Sequence, residues 1–149
     1  MPKFKKCDKS VQDIGNALLC EFETHKPILD ARVNIELLFA FADRDDNNQK
    51  RNSAITKGGY TALGYARIIP VKDRVAGRGD AEIVLDGDWW LEAKEEEQRA
   101  LLDHELHHLS VKMEGGFVVR DEAGRPKLKM RQHDYDFGWF NVIAQRHGK

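Results

Sequence analysis

The sequence predicts an α+β fold in which a central helix packs on a small sheet, mostly antiparallel or mixed. Three segments, 31–42, 61–71 and 81–86, alternate apolar and polar residues as strands with one buried face do. A helical spacing of leucines follows these segments and is bounded by Glu95 and by the glycine pair 115–116. The order of a helix, three strands, the motif helix, a hairpin and a last helix indicates one α+β domain.

Shorter elements are expected on both sides of this central part. Apolar residues at helical spacing predict a helix over about 11–24, with Ser10 as its N-cap, and His25 beyond it in a capping or surface role. The segments 117–120 and 128–131 predict a β-hairpin, and a last helix is expected over about 136–146.

Composition is that of an ordinary soluble protein. The 149 residues are expected to form a single domain, 1–149, with a basic flexible tail at 1–9 and a long polar loop at 43–60. The formal net charge of −1 makes nucleic acid an unlikely partner, and no apolar run approaches a membrane span. The two cysteines, Cys7 and Cys20, form no metal-binding pair and indicate reduced thiols in a cytoplasmic protein. No pattern indicates an oligomeric state.

The main functional signal is His-Glu-x-x-His at His104, Glu105 and His108. Residues four apart lie on one face of a helix, so both imidazoles can reach one metal ion. Glu105 lies one step further round, where its carboxylate can reach a water on that ion. An apolar stripe on the opposite side of the helix is expected to face the core, and it comprises Leu102, Leu106, Leu109 and Met113.

A catalytic zinc site usually has a third protein ligand, and the candidates lie near the C-terminus. His133 is favoured because it is an imidazole in a short loop before the last helix, with Asp136 and then Asp134 as alternatives. Tyr135 is either an oxyanion donor or, more simply, a packed aromatic residue.

Asp103, directly before the motif, and His107, inside it, each have two possible interpretations. Asp103 either orients an imidazole from behind the ligands or is solvated. His107 points about 100° away from His108 on the helix and is expected to lie behind the ligands or at the surface, not to bind metal.

Together these residues predict a zinc-dependent metallopeptidase with one Zn²⁺ per chain and a protein or peptide as substrate. Glu105 would act as general base on a metal-bound water that attacks the peptide carbonyl, and would then protonate the leaving amine. The segment 81–86 is the expected sheet edge along which an extended substrate would pair.

The motifs also support a family resemblance. The stretch 100–108, Ala-Leu-Leu-Asp-His-Glu-Leu-His-His, the stretch 63–67, Leu-Gly-Tyr-Ala-Arg, and the pair His133-Asp134 with Phe137 resemble the phage metallopeptidases, small zincin-like proteins of phages and prophages. The resemblance covers about 31–148 and implies a minimal zincin fold, zinc, peptidase activity and action in the cytoplasm of a bacterial host. The polar loop at 43–60 is longer than this family leads us to expect.

Two other functions are compatible with the same residues. One is a non-enzymatic, phage-encoded zinc-binding module that binds a host protein. The other is a zinc hydrolase that cleaves a non-peptide bond.

Overall fold

A computed structural model describes residues 2–50, 53–57, 60–132, 143 and 146–147. Its helices are α1 (Lys9–Glu21), α2 (Lys26–Asp30), α3 (Val71–Val75), α4 (Gly87–Glu92) and α5 (Glu95–His107). Its strands are β1 (Lys3–Lys6), β2 (Ile35–Phe41), β3 (Thr56–Lys57), β4 (Tyr60–Thr61), β5 (Gly64–Ile68), β6 (Ala81–Asp86), β7 (Leu109–Val111), β8 (Met113–Glu114), β9 (Phe117–Val118) and β10 (Leu128–Met130). The predicted α+β fold is confirmed.

The main sheet of the described chain has the order β1-β2-β6-β5. β2 and β6 run parallel, whereas the β1–β2 and β5–β6 pairs are antiparallel, so the sheet is mixed. β6 has the predicted bounds, but the prediction that it is the sheet edge is wrong. It lies between β2 and β5 with all six of its residues buried, and the edge nearer to α5 is β5.

The predicted flexible tail contains a strand. Lys3 lies opposite Phe41 and Lys6 opposite Leu38 in the antiparallel β1–β2 pair. All four residues of β1 are exposed, and charged lysines at an outer edge discourage pairing with a second chain. The sequence suggests a loose tail because the side chains are polar, whereas the backbone hydrogen bonds of β1 do not depend on side-chain type.

Helix α1 begins at a different cap from the predicted one. Asp8 is the N-cap, and its carboxylate accepts a hydrogen bond from the backbone N–H of Val11 at 3.4 Å. The hydroxyl of Ser10, the predicted cap, donates to the same carboxylate at 2.6 Å. Val11 and Leu18 are fully buried and pack with Leu102 of α5 in the core.

The polar loop predicted at 43–60 contributes to a second, smaller core. Ala54 and Ile55 are 6% and 5% exposed and pack against Val84 on the side of the sheet away from α5. Next to them β3 pairs with β4 in a short hairpin. The loop therefore covers the second face of the sheet, which explains why β6 is buried on both faces.

The chain after the metal-binding motif departs from the prediction. Helix α5 ends at His107, and His108 is its C-cap, whereas the leucine spacing predicted a helix reaching the glycine pair 115–116. Leu109 begins β7, which pairs with β10, and the two glycines make the turn between β8 and β9 with φ of 57° and 81°. Met113, assigned to the apolar stripe, is 46% exposed.

The predicted hairpin is correct only at its turn. Arg120 and Pro126 form an antiparallel bridge around it. Beyond this bridge β9 pairs with β8, and β10 pairs with β7. Residues 143, 146 and 147 are helical, and the other residues of the predicted 136–146 helix lie outside those that the structure describes.

No helix in the described ranges combines the length and the apolar character that crossing a membrane requires.

Gly87 and Gly15 provide a matched pair of stability variants. A Cβ at Gly87 would lie 2.5 Å from the Phe41 ring, whereas a Cβ at Gly15 would meet Leu102 at an ordinary 3.6 Å. We expect Gly87→Ala to lower the free energy of unfolding by about 1–3 kcal/mol through overpacking. Gly15→Ala, inside α1, should raise it by about 0.5–1 kcal/mol. Urea unfolding of both variants measures the difference, and a stable Gly87→Ala protein would contradict this packing.

Asp80 should make folding sensitive to acid. Its carboxylate is 1% exposed and accepts hydrogen bonds from the Arg125 guanidinium and, at 2.7 Å, from the Asn34 N–H. Burial alone would raise the pKa of Asp80, but the hydrogen bonds hold it below the usual value.

The contribution of Asp80 to stability is therefore present above the unfolded-state pKa, about 3.9, and is lost as pH falls through the lower folded-state pKa. We expect Asp80→Asn to lower stability at pH 7 and to weaken the loss of stability in this acid range. Urea unfolding at a series of pH values from 7 down to 3 measures the free energy of unfolding of both proteins. An acid dependence equal to that of the unmodified protein would argue against the assignment.

Candidate metal centre

The end of α5 brings three side chains of the motif together. His104, Glu105 and His108 each offer one potential ligand atom, and these atoms lie within 4.8 Å of one another. The imidazole centroids of His104 and His108 are 5.0 Å apart. His104 and Glu105 are 8% and 3% exposed. The site is thus largely shielded from solvent, which strengthens electrostatic interactions within it.

Helical phase explains which residues face the site. Leu102 and Leu106 are 0% and 2% exposed and pack into the main core, so they set the rotation of α5 about its axis. The two histidines then lie on another face, four residues apart, as helical geometry requires. The first turn carries three glutamates, and the Glu97 carboxylate accepts from the Lys94 N–H at 2.9 Å, which stabilises the helix start.

The imidazole of His108 is oriented by the chain after β10. Its Nδ1 lies 2.9 Å from the carbonyl oxygen of Arg131. A carbonyl oxygen only accepts hydrogen bonds, so Nδ1 carries the proton, and in the neutral ring Nε2 then carries the lone pair. Nε2 is 4.0 Å from Oε1 of Glu105. A backbone carbonyl behind a histidine is a common way to orient a metal ligand.

Gly64, at the start of β5, brings the sheet edge against the Glu105 carboxylate. A Cβ at Gly64 would lie 3.2 Å from Oε2 of Glu105 and 3.1 Å from the carbonyl oxygen of Val84. A larger residue would push either the strand or the carboxylate away. Sequence reasoning placed Gly64 only within a family-like stretch, and an isolated glycine in a strand pattern was the available signal of close approach.

Asp103 anchors the helix from behind the site. Its side chain is fully buried, and Oδ1 lies 2.5 Å from Nε2 of His25. The Arg146 guanidinium donates to both carboxylate oxygens at 2.8 and 3.0 Å, and Nε2 of His147 lies 2.8 Å from Oδ2. Burial opposes ionisation, yet the hydrogen bonds from His25, His147 and Arg146 lower the pKa of Asp103 to about 2.

These contacts correct two expectations. His25, predicted to lie at a cap or the surface, is fully buried. The alternative that Asp103 is solvated is wrong, and the imidazoles it contacts are those of His25 and His147. His25 lies 78 positions from Asp103, and Arg146 and His147 lie 43 and 44 positions from it. No local sequence signal links residues so far apart, so these three contacts were missed.

His107 is buried but does not belong to the group of three. Its Nδ1 lies 3.0 Å from the Arg131 guanidinium, which also donates to its carbonyl oxygen at 2.8 Å. Burial, followed by the positive charge of Arg131, lowers the pKa of His107 to about 4, so the ring is neutral near pH 7. Of the two predicted environments, the position behind the site is the observed one.

The donor set is suited to a zinc ion. Two imidazoles and an adjacent carboxylate are nitrogen and oxygen donors that zinc accepts, and the Nε2 lone pair of His108 is held in place by the Arg131 carbonyl. A complete site needs at least one more protein ligand. The sequence candidates for it, His133, Asp134 and Asp136, lie outside the described residues, as does Tyr135.

Comparison with known proteins gives one family match. A family model described as "Putative phage metallopeptidase" matches residues 3–149. Neither the curated proteins nor the solved structures contain a match. Metallopeptidases act on proteins or peptides and depend on a metal ion, usually zinc. Since the match spans nearly the whole sequence, the chain belongs to the phage metallopeptidase family.

Proposed function

We propose that the protein is a zinc-dependent peptidase whose metal is held by His104, His108 and His133, with one zinc ion per chain. The observation that carries the proposal is the cluster of His104, Glu105 and His108, whose potential ligand atoms lie within 4.8 Å. His133 completes the site on sequence grounds, because a third neutral nitrogen leaves a coordination position open for chemistry.

Glu105 is the proposed general base. The chemistry that bound zinc supplies is polarisation of the substrate carbonyl and acidification of the attacking water. Glu105 removes a proton from that water as its oxygen bonds to the carbonyl carbon. It then delivers the proton to the amine nitrogen as the carbon–nitrogen bond breaks.

The position of Glu105 supports this role. The side chain is 3% exposed, so bulk water competes little for its carboxylate. Gly64 leaves room for that carboxylate beside β5, because a Cβ at this position would lie 3.2 Å from Oε2.

The proposed substrate is an extended peptide that adds to β5. Within the described chain β5 pairs only with β6, so its other edge forms no strand pairing there. Gly64 lies on this strand beside Glu105. A peptide paired along β5 would therefore pass the catalytic carboxylate. This assignment replaces the segment 81–86, which is buried at the centre of the sheet.

Metal content tests the ligand set. We expect about one zinc per chain in the purified protein and a loss of at least about tenfold in zinc affinity in His108→Ala, since one imidazole is removed. His133→Ala should behave in the same way, and Asp134→Ala and Asp136→Ala should retain zinc. Elemental analysis with chelator competition measures both quantities.

His107→Gln is the control, because His107 is buried nearby without belonging to the ligand group. Its folded fraction should keep one zinc per chain. If His108→Ala retained zinc at native affinity, this ligand set would be ruled out. If zinc were lost only in Asp134→Ala or Asp136→Ala, that aspartate would be the third ligand in place of His133.

Hydrolysis tests Glu105 separately from the metal. Glu105→Gln keeps the side-chain shape but cannot accept the proton, so we expect kcat to fall by about 10²-fold or more. Zinc content should stay near one per chain. Cleavage of an unstructured protein such as denatured casein, followed by mass spectrometry, provides the measurement. A Glu105→Gln protein with full activity would disprove the general-base role.

A further inference from the structure

A cavity lies at the far end of the strand that passes Glu105. It has a volume of about 350 Å³, and its apolar lining includes Ile68 from β5, Pro70 just beyond it and Leu128 from β10. Gly64, Ala66 and Ile68 point to one face of β5, because alternate residues of a strand share a face. Ala66 and Ile68 pack with the core that contains α5. The cavity and the metal centre therefore lie on the same side of the sheet.

The rim of the cavity is positively charged. Lys112, Lys127 and Lys129 line it, and none of them forms an ion pair within the part of the chain that the structure describes. Lys127 and Lys129 are exposed and Lys112 is half-buried.

The other two charges of the cavity cancel. Nη1 of Arg74 lies 2.6 Å from Oδ2 of Asp121, and their side chains are 3% and 2% exposed. The three lysines thus leave a net positive field over an apolar floor. The chemistry that matches this combination is an Asp or Glu side chain, whose methylene groups can pack while its carboxylate meets the lysines.

The distance along β5 relates the cavity to the proposed scissile bond. Ile68 is four residues from Gly64, which corresponds to about 13 Å at the usual strand rise of about 3.3 Å per residue. Directly opposed residues of paired strands place their side chains on the same face. A peptide whose scissile bond lies beside Glu105 would thus place a side chain in the cavity about four residues away. In antiparallel pairing, the more stable kind, that residue is N-terminal to the bond.

We propose that this cavity is a specificity subsite that selects an acidic side chain about four residues N-terminal to the scissile bond. The inference rests on the proposed peptidase function and names the class of substrate: extended peptides that carry Asp or Glu at that position. Lys112, Lys127 and Lys129 are the specificity-determining residues. They act on the bound substrate and have no part in the chemistry at the metal.

A peptide series tests the position of the acidic residue. Fourteen-residue peptides of Ala, Ser, Gln and Leu carry one Glu that is moved along the chain, and mass spectrometry locates each cleavage. We expect kcat/KM to be about fivefold to tenfold higher with Glu about four residues before the bond than with Gln there. The preference should weaken as salt concentration rises. Cleavage that is indifferent to the Glu position would overturn the inference and leave the peptidase function intact.

Two matched double variants test the lysines. Lys127→Glu/Lys129→Glu reverses the charge at the cavity, and Lys3→Glu/Lys5→Glu makes the same change in net charge on β1, at the opposite edge of the sheet. All four lysines are exposed, so the fold should tolerate both changes. We expect only the cavity variant to lose the Glu preference. An equal loss in both variants would indicate a general charge effect and would overturn the inference, as would a retained preference in the cavity variant.

Binding separates the subsite from the proposed activity. Fluorescence anisotropy with the labelled Glu peptides and the Glu105→Gln protein measures affinity without cleavage. The subsite is supported if the Glu peptide binds at least about fivefold more tightly than the Gln peptide. This difference should disappear when Lys127→Glu/Lys129→Glu is combined with Glu105→Gln. If the unmodified protein cleaves no peptide but this difference is found, the proposed function fails and the cavity stands as a binding site for an acidic side chain. If the Glu and Gln peptides bind equally, the subsite is wrong whatever the activity.

Discussion

The buried carboxylate of Asp103 is the interaction on which the placement of the motif helix depends. Removing a charge from water costs several kcal/mol unless donors surround it. Here the donors come from distant parts of the chain: His25 lies just before α2, and Arg146 and His147 lie near the C-terminus. Arg146 also lies 3.9 Å above the Phe22 ring. Because Asp103 directly precedes His104, the contacts that satisfy its charge also hold the helix that carries the metal-binding motif.

A second constraint comes from the sheet. Gly64 allows β5 to approach the Glu105 carboxylate, with 3.2 Å between the position of its absent Cβ and Oε2. The Arg131 carbonyl, on the other side, holds Nδ1 of His108 at 2.9 Å. The base and one ligand are thus positioned by backbone groups, whose geometry depends on strand pairing more than on side-chain packing. This arrangement also connects the metal centre to the cavity at the end of β5.

Much of the local structure follows from periodicity. The alternation at 81–86 located β6 with its observed bounds, and the spacing of His104 and His108 placed both imidazoles on one helical face. The first-turn glutamates correctly marked the start of α5. These features depend on residues within a few positions of one another, which is why the sequence alone was sufficient for them.

The predictions that failed required knowledge of distant neighbours. Alternation shows that a segment is a strand but not which strands lie beside it, so β6 was mistaken for an edge. The leucines of the motif helix fit both a helix and the strand β7, and pairing with β10 decided between them. His25 has an ordinary surface-like context in the sequence, and only the partner at Asp103 explains its burial.

The sequence by itself thus determined the fold class, the family and the residues that form the metal-binding motif, because each depends on spacing along the chain. Tertiary structure decided which strand forms the edge beside Glu105, which carbonyl orients His108 and which residues neutralise Asp103. These features depend on backbone pairing and on ion pairs that neutralise buried charges. Both kinds of interaction join segments that are far apart in the chain. A local pattern of residues carries no information about such pairings.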